Sequence, residues 1–236
     1  MTTIKKTLST TKSESAASNS ASVASPEEKK AFLASVRPAL ITEEIHPDLV
    51  KICPHMPVPG TDLLEVAVID GSYVTKKEMQ HFCCTQGELF SAAASNQKND
   101  TVCFTTISEA MGIPPLPDED NNMLYVLRIP HPVSGAAALL NREALQKASE
   151  TIGGDFFILP SSIHEVLLIP STELKPAELE IIVQSVNRHD VRPEEILSNH
   201  VYRYDCQTKK LSMAVEQHLY EGKDPYQISQ ERRCRR

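Results

Sequence analysis

The stretch Asp155–Pro170, DFFILPSSIHEVLLIP, decides the fold class of this chain. Asp155 to Leu159 and Val166 to Ile169 are short runs rich in Phe, Ile, Leu and Val. They flank a polar connection, Pro160 to Glu165. Apolar runs bounded by turn residues in this way read as two strands joined by a turn. Helical patterns lie on both sides. Upstream, Asn141 caps a helix whose face is Leu145, Ala148 and Ile152, and Gly153-Gly154 ends it. Downstream, Leu174 to Asn187 places Leu179, Ile182, Val183 and Val186 on one helical face. Further strands are expected at Met123–Ile129 and at Gly135–Leu140, whose small residues suggest close packing by a helix. Val201–Asp205 and Leu211–Met213 read as a final hairpin. The order from Met123 is then β-β-α-β-β-α-β-β. Paired strands separated by single helices predict an α+β fold: a mostly antiparallel sheet with helices packed on one face.

The first half is less regular. Ser25-Pro26-Glu27-Glu28 combines a cap residue, a proline at the first helical position and a glutamate at the third, which starts a helix. Lys51–Gly60 is punctuated by Pro54, Pro57 and Pro59 and reads as a loop. Leu63–Ile69 is a strand closed by the turn dipeptide Asp70-Gly71, with Ser72–Thr75 as its partner. Thr75 or a neighbour caps a short helix, Thr85 with Glu88 caps a longer one, and Phe104–Met111 is read as a short helix stopped by Gly112. The acidic run Asp118–Asp120 lacks the glycine turn and distal glutamate of a calcium loop and reads as a solvated connection. Four segments follow: residues 1–25, a disordered Ser/Thr-rich tail; residues 26–60, a helix and Pro-rich lead-in; residues 61–213, a single α+β domain; and residues 214–236, a polar tail with basic residues at its end.

Composition removes several function classes. The chain has 236 residues and a formal net charge of −7, so it repels a phosphate backbone and nucleic acid is not expected as a partner. No run approaches the roughly 20 apolar residues of a membrane helix, and the start lacks the apolar core of a secretory signal. The expectation is therefore a cytoplasmic protein with no membrane contact, its six cysteines free thiols. Trp is absent and aromatics are 5% of the chain, which disfavours base and sugar stacking. There is no phosphate-binding glycine loop, dinucleotide fingerprint, zincin histidine pair or paired Cys-x-x-Cys, so no cofactor is expected.

Tyr125-Val126-Leu127, Gly135-Ala136-Ala137, the run DFFILPSSIHEVLLIP, Val186-Asn187, Glu194–Ser198 and Val201–Asp205 together resemble a bacterial family, domain of unknown function 5688. Pro54-His55, Asp62-Leu63 and Thr85–Phe90 fit the same pattern more loosely, and the resemblance covers about residues 50–212. It implies no known reaction, substrate, cofactor or catalytic residue.

Three sets of residues carry recognisable chemistry. The first is Ser161, Ser162, His164 and Glu165. A serine nucleophile needs a base within hydrogen-bond reach, and the base needs an orienting acid. On an extended segment Ser162 and His164 share a face and Glu165 points away, so these residues alone do not form a triad. Ser162-x-x-Glu165 also has capping-box spacing, a structural role. The second set is Cys53-x-His55 and His81-x-Cys83, zinc-compatible in chemistry but closer in spacing than usual zinc pairs. The third is Tyr202, Arg203 and Tyr204, which alternate on a strand so that either the arginine or the tyrosine pair faces outward as a binding surface. Glu43, Glu44, Glu194 and Glu195 read as acidic helix starts, where the macrodipole accounts for them. These features favour a non-enzymatic domain binding another protein or a small ligand. The alternative is a hydrolase-like enzyme using Ser161 or Ser162 with His164, its acid Asp155 or Glu165.

Overall fold

The computed structural model describes residues 24–113, 124–171 and 175–214. In chain order the elements are α1 (Pro26–Ser35), β1 (Arg37–Thr42), α2 (Pro47–Ile52), β2 (His55–Pro57), β3 (Leu63–Ile69), β4 (Ser72–Tyr73), α3 (Lys76–His81) and α4 (Gln86–Gln97). The second half contains β5 (Cys103–Thr106), α5 (Ile107–Ala110), β6 (Tyr125–Arg128), α6 (Arg142–Ile152), β7 (Phe156–Leu159), β8 (Val166–Pro170), α7 (Pro176–His189), β9 (Tyr202–Asp205) and β10 (Lys210–Met213). Residues 1–23 of the tail expected over 1–25, the acidic run Asp118–Asp120 and residues 215–236 lie outside the described residues.

The α+β class holds, with two antiparallel sheets rather than one. The first has the order β1-β3-β2, with β4 pairing β3; the second is six-stranded, β10-β9-β7-β8-β6-β5. The DFFILPSSIHEVLLIP hairpin supplies two of the inner strands, with Leu159 opposite Leu167 and Phe156 opposite Pro170. Period-two alternation sends Phe156 and Ile158 into the main core and Phe157 into a second cluster. The main core packs α6 through Leu145 and Ala148, and the second packs α7 through Leu179 and Val183. Helices therefore cover both faces of this sheet, not the single face expected. Strands buried on both sides must be apolar at nearly every position, as FFIL and VLLIP are. The smaller sheet shares the main core through Leu40 and Leu63, with Val58 just beyond β2 beside them.

Helix starts were the most legible local feature. Ser25 with Glu28, Thr75 with Glu78 and Thr85 with Glu88 form reciprocal capping boxes. Asn141 accepts from the Ala144 amide, and Gly153, at φ 88°, ends α6 in the left-handed conformation.

Several segments differ from the sequence reading. Lys51–Gly60, expected as a loop, holds the end of α2 and the strand β2, whose His55–Pro57 pair with Val66–Leu64 of β3. Gly135–Leu140 is a 3-10 helix, not a strand, so the β-β-α-β-β-α-β-β order loses its second strand. GAAALL has no β-branched residue, and Gly135 through Leu139 are all buried, so periodicity cannot separate strand from helix there. Phe104–Met111 divides into strand β5 and the short helix α5, because Thr106 and Glu109 form a further capping box that restarts the chain as a helix. β1 was not anticipated. It lies at a sheet edge opposite β3, where Pro38 is tolerated for lack of a ladder to complete on its outer side.

Candidate functional site

The Ser161–Glu165 turn is bound into the structure through its backbone. The Ser162 amide donates to Glu165 O at 3.2 Å, Ala136 N donates to Ile163 O at 3.0 Å, and Ile163 N donates to Glu195 O at 2.9 Å. The Ile163 side chain is buried in the main core. Ser162 Oγ accepts from the His164 amide at 3.1 Å. That is a local bond from a backbone amide two residues on, within the tight connection between β7 and β8.

The His164 side chain takes a different partner from those expected. Its Nε2 lies 3.1 Å from Glu195 Oε1, and the ring is 40% exposed. Glu195 also binds Arg192, and these bonds hold its carboxyl down to about 2. Glu165 stands 4.0 Å from Arg128 instead of near the imidazole. Asp155 is held by Arg203 Nη2 at 2.6 Å and by the Cys206 amide at 2.9 Å. Neither proposed acid orients His164, and among the described residues neither serine hydroxyl bonds its ring.

Of the alternating trio on β9, Arg203 is exposed while Tyr202 and Tyr204 are buried. Tyr204 stacks on Phe156 with ring centroids 5.0 Å apart. It also lines, with Gln146, Ser149 and Lys209, a groove of 320 Å³ at the end of α6. Cys53 is buried at the end of α2, where burial pushes its thiol up, and its carbonyl accepts from His55 Nδ1 at 3.2 Å. His81 packs edge-on against Phe82, and Cys83 is exposed.

The one set of three or more His, Cys, Asp or Glu side chains that gathers its donor atoms within 4.8 Å among the described residues lies elsewhere: Glu44, Asp62 and His200. It sits where the two sheets meet. Glu44 follows β1, Asp62 precedes β3, and His200 precedes β9. The loop 196–200 is tied to the smaller sheet by Thr42 Oγ1 to Leu197 O at 3.0 Å and His46 Nε2 to Ile196 O at 2.8 Å.

His200 lies between two carboxylates. Nδ1 is 2.5 Å from Glu180 Oε1, and Nε2 is 3.3 Å from Glu44 Oε2. Bonds to Glu180 and then Glu44 raise its pKa to about 10, against a desolvation that works the other way. Glu180 itself is 4% exposed. The remaining carboxylates are also oriented: Asn199 Nδ2 donates to Glu44 Oε1 at 2.8 Å, and the Tyr202 hydroxyl donates to Asp62 Oδ1 at 2.7 Å. Asn187 Nδ2 in turn donates to Ser198 O at 2.9 Å and to Asn199 Oδ1 at 3.0 Å.

This network explains the orientation of α7. The apolar stripe Leu179, Ile182, Val183 and Val186 was expected to face inward together. Instead Leu179, Glu180, Val183 and Asn187 are buried, while Ile182 and Val186 are 52% and 40% exposed. Glu180 and Asn187 point inward to reach His200 and Ser198, and the helix turns about its axis accordingly. Glu44, read from sequence as a helix-start carboxylate, faces His200; Glu195 faces His164.

A further carboxylate is isolated. Glu65 on β3 has Leu40 and Met56 as its cross-strand neighbours, and burial alone raises its pKa from 4.5 to about 7. A raised folded value means that its contribution is fully present below the unfolded pKa and is lost as pH rises to the folded one. Stability is therefore expected to fall between pH 4.5 and about 7 through this group and to level off above. Glu65→Gln removes that decline. Urea unfolding from pH 4 to 9 should show the variant overtaking the native chain above about pH 7, by about 1–2 kcal/mol after allowing for partial solvent screening.

The antiparallel sheets with flanking helices and a polar seam define a mixed α+β domain with a half-buried carboxylate–imidazole cluster. The chain belongs to the family of unknown function DUF5688, whose model matches residues 65–206. Glu180 and His200 lie within that span, and Glu44 and Asp62 precede it. No curated protein and no solved structure matches the chain. No described helix is long and apolar enough to cross a membrane.

Proposed function

We propose that this is a non-enzymatic ligand-binding domain, and that its site is the seam around Glu44, Asp62 and His200 rather than the Ser161–Glu165 turn. The observation that supports this reading is the charge of the seam. Glu44, Asp62 and Glu180 bring three carboxylates to one imidazole, and among the described residues no Lys or Arg forms an ion pair with any of them. With His200 protonated the group still carries an excess of negative charge in a half-buried place, where the field is weakly screened. A site of this kind takes a small cation.

The hydrolase alternative is less well supported. The Ser162 hydroxyl is engaged by the His164 amide, and the His164–Glu195–Arg192 chain accounts for the imidazole as an ion-pair network. The test is an amide-resolved NMR titration with metal ions and small organic ammonium compounds. Shifts concentrated at residues 44, 62 and 198–202 are expected. Cationic probes that all leave those amides unmoved would contradict the reading.

A further inference from the structure

The seam has more than negative charge. It has the parts that a bound metal ion requires, and we infer that Glu44, Asp62 and His200 form a divalent transition-metal site. This deepens the cation-binding reading and rests on it.

The first argument is the donor set. One imidazole nitrogen and two carboxylates suit borderline ions such as Mn²⁺ and Zn²⁺, whereas Mg²⁺ and Ca²⁺ prefer oxygen throughout. The three donor atoms lie within 4.8 Å of one another. An ion about 2.1 Å from each sets donor separations of roughly 3–4 Å, so small side-chain movements close the set. Glu44 is exposed, and its side open to water provides the entry path and room for further ligands.

The second argument is independent of the donors and concerns what holds them. A metal-bound histidine characteristically donates its other ring N–H to a carboxylate, which fixes the tautomer and directs the free nitrogen at the ion. Glu180 does this on His200 Nδ1, from a helix position where its carboxylate is 4% exposed. Nε2 is thereby directed toward Glu44 and Asp62. Each of those carboxylates has one oxygen held by an orienting donor, Asn199 for Glu44 and Tyr202 for Asp62. A simple His–Glu ion pair needs only Glu180. It does not explain why two further, separately oriented carboxylates converge on the opposite nitrogen.

The third argument is electrostatic. Three carboxylates gather around one imidazole, and among the described residues no Lys or Arg forms an ion pair with any of them. A bound divalent ion supplies the positive charge that no basic side chain provides there. These ligands differ from the Cys53, His55, His81 and Cys83 pairs. Those residues are not among the donors that converge in the described residues.

The test uses the full chain, stripped with chelator, and Mn²⁺ as probe. Mn²⁺ is chosen because free thiols such as the exposed Cys83 would take up Zn²⁺. Loss of the free-ion electron paramagnetic resonance signal should show one Mn²⁺ per chain. Glu44→Gln and Asp62→Asn should each weaken it at least tenfold. Both substitutions keep the side-chain shape, and Asp62→Asn keeps an oxygen for Tyr202, so both variants remain folded by circular dichroism. No stoichiometric binding at millimolar Mn²⁺, or binding of equal strength in folded Glu44→Gln and Asp62→Asn, overturns the metal site. If Mn²⁺ fails while an organic ammonium ligand still moves the amides of residues 44, 62 and 198–202, the metal inference falls and the cation-binding reading stands.

Discussion

Gly135→Ala is expected to destabilise the protein by about 3 kcal/mol, the upper end of what overpacking usually costs. A Cβ built on Gly135 lies 1.7 Å from the carbonyl oxygen of His164 and 3.0 Å from that of Ile129. Both contacts are backbone, so no side chain can rotate away. The Ser161–Glu165 turn would have to move outward. That move breaks the Ala136–Ile163 and Ile163–Glu195 bonds and draws Ile163 from the core. Urea unfolding of the variant checks this. Gly87→Ala is the control: it lies on α4, a Cβ there meets nothing, and its helix propensity improves. Equal stability of Gly135→Ala and the native chain would mean that the turn does not pack as described.

His200→Ala is the second large effect, about 3 kcal/mol of lost stability. It leaves Glu180, 4% exposed, without the partner that justifies a buried charge. The size of the effect depends on that burial. Glu44→Gln, on a side chain 52% exposed, should cost less than about 1 kcal/mol. The double variant Glu180→Leu with His200→Leu removes both charges together. It should recover most of the loss, since an apolar pair of similar volume often replaces a buried ion pair at no net cost. Unfolding of Glu180→Leu, His200→Leu and the double variant closes the cycle that gives the coupling energy. If His200→Ala and Glu44→Gln are equally mild, His200 is a surface histidine and the seam is not organised by burial.

The parts of the fold legible in sequence were those written in local chemistry. Capping boxes need only a Ser or Thr and a Glu three residues on, and Ser25 and Thr85 marked α1 and α4 correctly. The hairpin around Ser161–Glu165 was marked by two apolar runs and a polar turn. Gly135–Leu140 was misread because a fully buried run of Gly, Ala and Leu has no exposed face to set a period.

The candidate site was not legible for a different reason. Glu44, Asp62, Glu180 and His200 come from four separated segments, and no spacing rule links them. The signal that was present is on α7. Glu180 adjoins Leu179 and Asn187 lies four residues beyond Val183, so two polar residues border the face that the apolar pattern buries. Polar side chains that a helix turns inward require partners, and these two have His200 and Ser198. In the other direction, the Ser-Ser-Ile-His-Glu sequence has residue types found in catalytic sites. Its geometry is that of a turn held by Gly135, Ala136 and Glu195.

The most direct measurement places the bound cation. Sub-stoichiometric Mn²⁺ added to the ¹⁵N-labelled full chain broadens amides near the ion and leaves distant ones sharp. Broadening is predicted at residues 44, 62 and 198–202, unchanged in His164→Ala and absent in Asp62→Asn. Broadening centred on His164 and Glu195, or spread over the acidic surface and indifferent to Asp62→Asn, would contradict the seam as the functional site.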